Sequence, residues 1–157
     1  MINYQNDLVI LRALEPDDLE LLFDTENDTE LWKYSNRFHP YSKSFLKSYI
    51  ANADKDVFET RQIKFTITNK QKDPIGFIDL FDFEPLHRRA AVGLTISASS
   101  RGRGYANAAL KLIVIYAKEM LQLHQLYAHI AQENQRSIKL FESQNFFLAG
   151  KKKDWNF

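Results

Sequence analysis

The hydrophobic pattern of the chain changes period, and this change restricts the possible folds more than any other feature. Between residues 63 and 68, apolar side chains alternate with Lys64, Thr66 and Thr68. This alternation predicts a β-strand with one buried face. From residue 106 to 121 the apolar residues recur every three or four positions, which predicts one long amphipathic helix. We therefore expect an α+β fold, in which strands and helices share one core.

Further segments with the same two periods complete the prediction. Two strand-like runs, 75–83 and 90–96, are joined by a short loop and should form an antiparallel hairpin. The other expected elements are a strand at 8–11, a helix starting at Pro16, a helix capped by Ser42, a strand at 126–130, a helix at 134–144 and a last strand at 146–151. The alternation of strands and helices in the second half implies a crossover connection and some parallel pairing.

Size and composition place the chain among ordinary globular proteins. Its 157 residues, 45% hydrophobic and 26% charged, suit one domain that spans residues 1–157. The net charge of +1 offers no general attraction to nucleic acid or membrane. The lack of cysteine excludes thiolate nucleophiles, and the 4 histidines have no metal-ligand spacing. Without a signal-peptide pattern or a long apolar run, a cytoplasmic protein is expected.

The loop between the strand at 90–96 and the long helix is the segment that indicates function. It places Gly102 and Gly104 beside Arg101 and Arg103. Amide groups at a helix start have no intrahelical acceptor, and the helix dipole adds partial positive charge there, so the loop suits a pyrophosphate. Alternatively, the glycines only shape a turn. The lysine-serine ending of a P-loop and the three-glycine spacing of a dinucleotide-binding fold are both missing.

Gly93 is unusual because it lies inside the strand before this loop. Glycine in a strand interior costs stability and often marks a close approach of other atoms to the backbone. On a regular strand Gly93 shares a face with Ala91. Two explanations fit equally well: a groove for an extended ligand with a phosphate end, or close packing of a helix over the glycine.

Two motifs together resemble those of the GNAT acetyltransferases. Residues 101–106 resemble the family's Gln/Arg-x-x-Gly-x-Gly/Ala loop, and residues 134–146 resemble its second motif, a helix that begins at an asparagine. Residues 82–90 resemble the branch with polyamine and ribosomal-protein N-acetyltransferases. The resemblance extends over nearly the whole chain. It implies a GNAT-like fold with a central mixed, mostly antiparallel sheet, about four flanking helices and the final strand missing.

The resemblance also implies a site for acetyl-CoA as co-substrate. The pyrophosphate would lie on the loop amides, the pantetheine would pair like a strand with the end of the preceding strand, and the second motif would flank the thioester. An aromatic and polar segment would face the acceptor amine. The residues concerned are Arg101, Gly102, Arg103, Gly104, Tyr105 and Ala106 for the pyrophosphate, Leu94, Thr95 and Ile96 for the pantetheine, Asn134 and Phe141 near the thioester, and Trp32, Tyr34 and Ser35 for the acceptor.

The chain departs from the family pattern at three positions. Phe141 stands where the family often has a tyrosine that protonates the departing thiolate. Ala91 stands where many relatives carry a glutamate. Asn145 replaces a usual glycine, which is a milder change because asparagine tolerates left-handed backbone.

Two side chains are candidates for the general base that these changes leave unassigned. Asp79 is expected on an apolar strand face, where a carboxylate could serve as a base at neutral pH. That face would include Ile75, Phe77 and Phe83. His87, in the hairpin loop, could exchange protons near neutral pH. Alternatively, Asp79 is held by a structural hydrogen bond or an arginine, His87 is a solvated loop residue, and water relays the proton.

The sequence is therefore interpreted as an N-acetyltransferase that moves acetyl from acetyl-CoA directly to a primary amine in a ternary complex. Polyamines, other small amines and protein amino groups all remain open as acceptors. A catalytically weak acyl-CoA-binding or partner-binding module is the alternative, which Phe141 and Ala91 would favour. A sheet edge left uncovered by a missing strand would favour a homodimer.

Overall fold

The computed structural model describes residues 4–35 and 37–155, and these form an α+β fold around one sheet. Its strands are β1 (Ile10–Arg12), β2 (Ile63–Thr68), β3 (Pro74–Glu84), β4 (Arg89–Ile96) and β5 (Gln125–Tyr127). They pair in the order β1-β2-β3-β4-β5, and only β4 and β5 are parallel. The sheet is thus mixed and mostly antiparallel, and the predicted hairpin of two long strands is confirmed.

Two layers of helices cover the sheet. The helices are α1 (Leu19–Glu26), α2 (Thr29–Trp32), α3 (Lys43–Ala51), α4 (Val57–Thr60), α5 (Tyr105–Glu119) and α6 (Gln135–Ser143). The apolar stripe of α5 and Phe141 of α6 pack on one face of the sheet, whereas Leu22 of α1 and Leu46 of α3 pack against Phe77 on the other. Within the described ranges, no helix is long and apolar enough to cross a membrane.

Strand β2 corrects the prediction of one buried and one polar face. Thr66 and Thr68, on the supposedly polar face, are 0% and 2% exposed. The layer formed by α1 and α3 covers this face, and its polar groups have partners there. The hydroxyl of Thr66 donates a hydrogen bond to Asp18, and the ammonium of Lys64 lies 3.3 Å from a carboxylate oxygen of Glu26.

Strand β3 does not keep one side-chain alternation along its length. Its pairing shifts register at both ends, near Thr68 of β2 and between Phe81 and Glu84. Each shift moves later side chains to the opposite face. Ile75 and Phe83 therefore join the core under α5, and their predicted place on the face of Phe77 is wrong.

The predicted last strand at 146–151 is also wrong. Helix α6 ends in a Schellman motif: Asn145 has φ 64°, and the amide of Phe146 donates to the carbonyl of Phe141 at 3.1 Å. The rings of Phe141 and Phe146 meet edge to face at 5.0 Å, which is the apolar contact that usually completes this motif. After it, no described residue from 146 to 155 pairs with a strand. An apolar run alone does not make a strand, because its backbone groups need a neighbour.

Candidate functional site

The loop between β4 and α5 has the backbone that its glycines predicted. A short 3-10 turn at Ala98–Ser100 leads to Gly102 with φ 77° and Gly104 with φ 81°. Both values lie in the left-handed region, where glycine is unstrained. The Nε of Arg101 donates to the carbonyl of Ile96 at 3.0 Å, so this arginine fastens the loop to the end of the strand.

The amides at the start of α5 are free to bind an anion. In the described part of the chain, no acceptor is found for the amides of residues 102–107, and the first bonded one, Ala108, donates to the carbonyl of Gly104 at 3.1 Å. These donors sit at the positive end of a helix of 15 residues. The guanidinium of Arg103 is exposed beside them. The arrangement suits the diphosphate of coenzyme A.

Strands β4 and β5 diverge at a position that we call the strand fork. Their pairing ends at Ala91 and Tyr127, whereas β4 continues to Ile96. From Val92 to Ile96, one edge of β4 has no strand partner among the described residues. This edge, about 16 Å long at 3.3 Å per residue, runs from the fork to the anion-binding loop. Its free backbone groups can pair with an extended ligand that carries amides, as the pantetheine arm does.

Asp79 lies beside the strand fork on the face covered by α1 and α3. It is opposite Gly93 in the pairing of β3 with β4, two residues beyond the last β4–β5 pair. Its Oδ2 accepts a hydrogen bond from Gln62 at 3.2 Å, and the carboxylate fills the space that a Cβ on Gly93 would need. Gly93 is therefore explained by neither of the two readings from the sequence, because the neighbouring strand supplies the close atoms.

A row of charges that the sequence reasoning missed leads to Asp79. Lys64 is opposite Asp79 on β2, and Glu26 of α1 contacts both Lys64 at 3.3 Å and Arg37 at 2.5 Å. Burial alone would lower the pKa of Lys64, but the charges of Asp79 and Glu26 outweigh it and raise that pKa above its ordinary value. The lysine is therefore an ammonium ion. Its place in a strand was visible in the sequence, but its burial was not.

An open groove of about 390 Å³ between α3 and β2 leads to this row of charges. Its lining is Phe45, Ser48, Tyr49, Asn52, Ala53, Lys55, Thr60, Gln62 and Lys64. Gln62 lines the groove and donates a hydrogen bond to Asp79, so the groove ends one hydrogen-bonded side chain away from the carboxylate, on the face opposite α5. We call it the acceptor groove, since an acceptor could enter through it while coenzyme A binds at the loop.

The aromatic segment after α2 lies on the same face. The indole of Trp32 donates to the carbonyl of Glu26 at 2.9 Å, which places it next to the row of charges. Tyr34 is 41% exposed, and the hydroxyl of Ser35 donates to the carbonyl of Trp32 at 3.4 Å. Trp32 is thus held against α1, and the exposed ring of Tyr34 has the ammonium of Lys33 over it, 5.1 Å from the ring centroid.

The described contacts of the second motif, residues 134–146, stabilise helix α6 and its packing. The side chain of Asn134 caps α6 by accepting from the amide of Ser137 at 3.3 Å, and Phe141 is 6% exposed within the core. Asn107 of α5 donates to Ser143 and accepts from Gln144, both at 2.9 Å, so α6 is tied to the helix that begins at the anion-binding loop. These contacts fix how the two helices border the open edge of β4.

His87 is not brought to the strand fork. It is an exposed residue of the turn between β3 and β4, and Arg89, where β4 begins, is four residues before Gly93 on the extended strand. That stretch of strand is about 13 Å long at 3.3 Å per residue. The anion-binding loop follows the other end of β4, so His87 lies away from both Asp79 and the loop.

Comparisons with known proteins agree with this arrangement. The acetyltransferase (GNAT) domain model matches residues 9–146. Spermidine N(1)-acetyltransferase of Vibrio cholerae is 28% identical over 145 residues, which are 92% of this chain and 82% of the relative, and the Escherichia coli enzyme is 28% identical over 90% of this chain and 74% of its own. A crystal structure of the Vibrio cholerae enzyme in complex with CoA and spermine superposes with a TM-score of 0.83 at 26% identity, covering 92% and 84% of the two chains.

Fold, loop and open strand edge together define an acyltransferase that uses coenzyme A. The chain belongs to the GNAT acetyltransferase family, since the family model spans most of its length. It is an acetyl-CoA-dependent N-acetyltransferase, and its activity is the transfer of acetyl from acetyl-CoA to an amine.

Proposed function

We propose that the acceptor is a primary amine of a short polyamine such as spermidine. Two similar curated relatives, from Vibrio cholerae and Escherichia coli, are spermidine N(1)-acetyltransferases that match about nine tenths of this chain. The position of Asp79 supports the same acceptor, because a carboxylate beside the strand fork can bind an ammonium group. The acceptor groove extends from the solvent to Gln62, which donates a hydrogen bond to that carboxylate.

The cofactor-binding part of the proposal follows the open edge of β4. The amides after Arg101, up to Ala106, would hold the diphosphate, with added charge from Arg103. The backbone of Leu94, Thr95 and Ile96 would pair with the pantetheine. Asn134 and Phe141 on α6 would border the thioester end, and Trp32, Tyr34 and Ser35 would border the acceptor. Support comes from the unpaired amides and strand edge in the described residues.

Asp79 is proposed as the group that removes the proton from the acceptor. The neutral amine nitrogen attacks the carbonyl carbon of the thioester, the carbon–sulfur bond breaks, and coenzyme A leaves. Asp79 takes the ammonium proton directly or through one water, and general base catalysis of this kind is worth about 10² to 10⁴ in rate. The single observation that carries this role is the carboxylate's place opposite Gly93, next to the fork.

A panel of amines tests the acceptor. Initial rates of coenzyme A release are measured with spermidine, putrescine, n-butylamine and a lysine-containing peptide. Spermidine should give the highest kcat/KM, at least about tenfold above n-butylamine, because its second and third charges add binding energy. A peptide that exceeds spermidine would overturn the polyamine assignment while leaving acetyl transfer intact.

Asp79→Asn tests the base, with Asp82→Asn as its matched control. We expect Asp79→Asn to lower kcat about 100-fold and to leave acetyl-CoA affinity within twofold of wild type. Asp82 is an exposed carboxylate three positions along the same strand, and asparagine tolerates its φ of 49°. Asp82→Asn should therefore keep wild-type kcat. Equal rates for the two variants would remove Asp79 from the chemistry.

Self-association is a further part of the proposal. A spermidine N-acetyltransferase from Vibrio cholerae with a TM-score of 0.75 to this chain forms a dodecamer. In this chain Phe147 and Leu148, which follow α6, are 88% and 76% exposed, and such neighbouring apolar side chains suit an interface. Light scattering after size exclusion should give a mass of at least two chains. A single monomeric peak at micromolar concentration contradicts this part only.

A further inference from the structure

Lys64 is a buried ammonium ion that the proposed chemistry does not yet use. Its side chain is 12% exposed on β2, directly opposite Asp79. The rings of Tyr49 and Phe77 lie 6.0 and 5.8 Å from its nitrogen. Holding a charge in such a place is costly unless carboxylates compensate it. The packing of its aliphatic chain therefore does not explain why a lysine occupies this site between aromatic rings.

The neighbouring charges are arranged so that Lys64 is available to Asp79. Glu26 has two oxygens, and Arg37 takes one of them at 2.5 Å while Lys64 contacts the other at 3.3 Å. Arg37 thus neutralises most of the charge of Glu26. The positive charge of Lys64 is then only partly compensated by Glu26 and can act on Asp79. Tyr49 of α3 also lies near Lys64, and burial raises the pKa of its hydroxyl, so it stays neutral.

The two oxygens of Asp79 have different surroundings. Oδ2 accepts the hydrogen bond from Gln62 of the segment before β2, whereas Oδ1 lies over Gly93 beside the strand fork. In the part of the chain that the structure describes, no hydrogen-bond donor reaches Oδ1. A positive charge near a carboxylate favours its ionised form, and the pairing of β2 with β3 places Lys64 opposite Asp79.

We propose that Lys64 is a positioning residue that keeps the Asp79 carboxylate ionised, with Oδ1 ready at the strand fork for the acceptor. This inference rests on the role proposed for Asp79. The same positive charge disfavours the ammonium form of an amine bound at Oδ1, and so it favours loss of the proton that must leave before attack. Lys64 acts through Asp79 and the bound amine, without forming or breaking a bond itself.

The titration of the Asp79 carboxyl carbon, followed by ¹³C NMR, tests the inference without activity. The signal is assigned by its loss in Asp79→Asn. In Lys64→Met the midpoint of this titration should move to higher pH by about one unit, since the loss of a nearby opposite charge has an effect of that order. Lys64→Arg keeps the charge and should restore the midpoint to within a few tenths of a unit. A midpoint unchanged in Lys64→Met overturns the inference.

Kinetics with spermidine give the second readout. In Lys64→Met the acid limb of the kcat/KM profile should move to higher pH by the same amount as the NMR midpoint, whereas a purely structural role would lower kcat/KM equally at every pH. Lys43→Met is the matched control, because Lys43 is also paired with a carboxylate, Glu20 at 3.0 Å, but is 51% exposed. Its profile should equal that of wild type.

Two further outcomes separate this inference from the proposed function. If Asp79→Asn keeps wild-type kcat, the base assignment fails even though the NMR shift in Lys64→Met still reports the coupling of the two charges. If Lys64→Met does not fold, as judged by thermal denaturation, Lys64→Gln keeps a polar side chain of similar length. The same midpoint shift is then required of that variant.

Discussion

The carboxylate of Asp79 occupies the space that a side chain on Gly93 would fill. The two residues are directly opposite each other on β3 and β4, and an added Cβ would also come within 3.3 Å of the ring of Phe81. The glycine therefore allows an acidic side chain of the adjacent strand to lie flat beside the strand fork. Ala91 is on the same face of β4 and carries no polar group, so a carboxylate from β3 reaches a region to which β4 contributes none.

Gly93→Ala should impair transfer more than stability. The methyl group would push aside the end of the Asp79 side chain, which is flexible, so the fold can absorb it at a cost of about 1 kcal/mol. The displaced carboxylate would no longer meet the acceptor in the same position, and a misplacement of this size lowers rates by an order of magnitude or more. We expect kcat for spermidine to fall at least about tenfold, with unchanged acetyl-CoA affinity by calorimetry.

Gly150→Ala is the control for this substitution. Among residues 4–35 and 37–155, no atom lies within 4 Å of a Cβ built on Gly150, and its φ is not in the left-handed region. Both kcat and the melting temperature should therefore match wild type. A Gly93→Ala enzyme with full activity would show that the close packing of Asp79 against β4 has no role in the reaction.

Gly104→Ala should weaken coenzyme A binding through the backbone. Gly104 precedes α5 with φ 81°, and a Cβ there would make only an ordinary contact with Leu8 at 3.6 Å. The cost is thus conformational, about 1 to 2 kcal/mol for a residue forced into the left-handed region. Relief of this strain would turn the amides at the helix start away from the diphosphate. Titration calorimetry should show coenzyme A affinity reduced about tenfold in Gly104→Ala and largely restored in Gly104→Asn.

The loop and the central hairpin could be predicted because their signals are local. Gly102 and Gly104 have the left-handed backbone that glycine permits, and the alternating pattern placed β2, β3 and β4 to within one or two residues. Ser42 caps α3 through its hydroxyl, which accepts from the amide of Phe45 at 3.0 Å. Each of these features depends on residues close together in the chain.

The surroundings of Asp79 could not be predicted, because distant segments create them. Alternation marked Lys64 as a solvent-facing residue, and only the packing of α1 and α3 over the sheet reveals that it is buried beside Glu26. The register shifts of β3 likewise depend on its neighbours β2 and β4. They moved Ile75 and Phe83 to the other face while leaving Asp79 beside the fork.

The buried ion pair of Asp18 and Arg12 should make stability depend on acid pH. Burial alone would raise the pKa of Asp18, but hydrogen bonds from Arg12, the amide of Glu15 and Thr66 outweigh it and lower that pKa. The native state therefore binds this proton less readily than the unfolded chain does. The stabilisation is complete above the unfolded pKa of about 4 and is lost as pH falls through the lower native value. Urea unfolding at pH 7 and at pH 3 measures it.

Asp18→Asn isolates this contribution. Arg12 donates two bonds of 2.8 Å to the carboxylate, and an amide cannot accept both, so we expect a loss of about 3 kcal/mol at pH 7. The loss should shrink at pH 3, where wild type is itself weakened. Asp17 is the exposed neighbour, and Asp17→Asn should cost less than about 0.5 kcal/mol. A pH-independent loss in Asp18→Asn would mean that the packing of the Asp18 side chain, and not its ionisation, provides the stabilisation.

Asn145 should tolerate glycine but not valine, because its φ of 64° closes the Schellman motif of α6. Asn145→Gly removes the residual strain and should leave the free energy of unfolding within about 0.5 kcal/mol of wild type or raise it. Asn145→Val forces a β-branched residue into the left-handed region at a cost of about 2 kcal/mol.

Glu142→Val is the control, at an exposed position of the same helix. It should cost only a few tenths of a kcal/mol, because the helix propensity of valine is only slightly lower. Urea denaturation compares the three variants. Equal losses for the two valine variants would mean that the turn relaxes freely, and the contact of Phe146 with Phe141 would then not depend on residue 145.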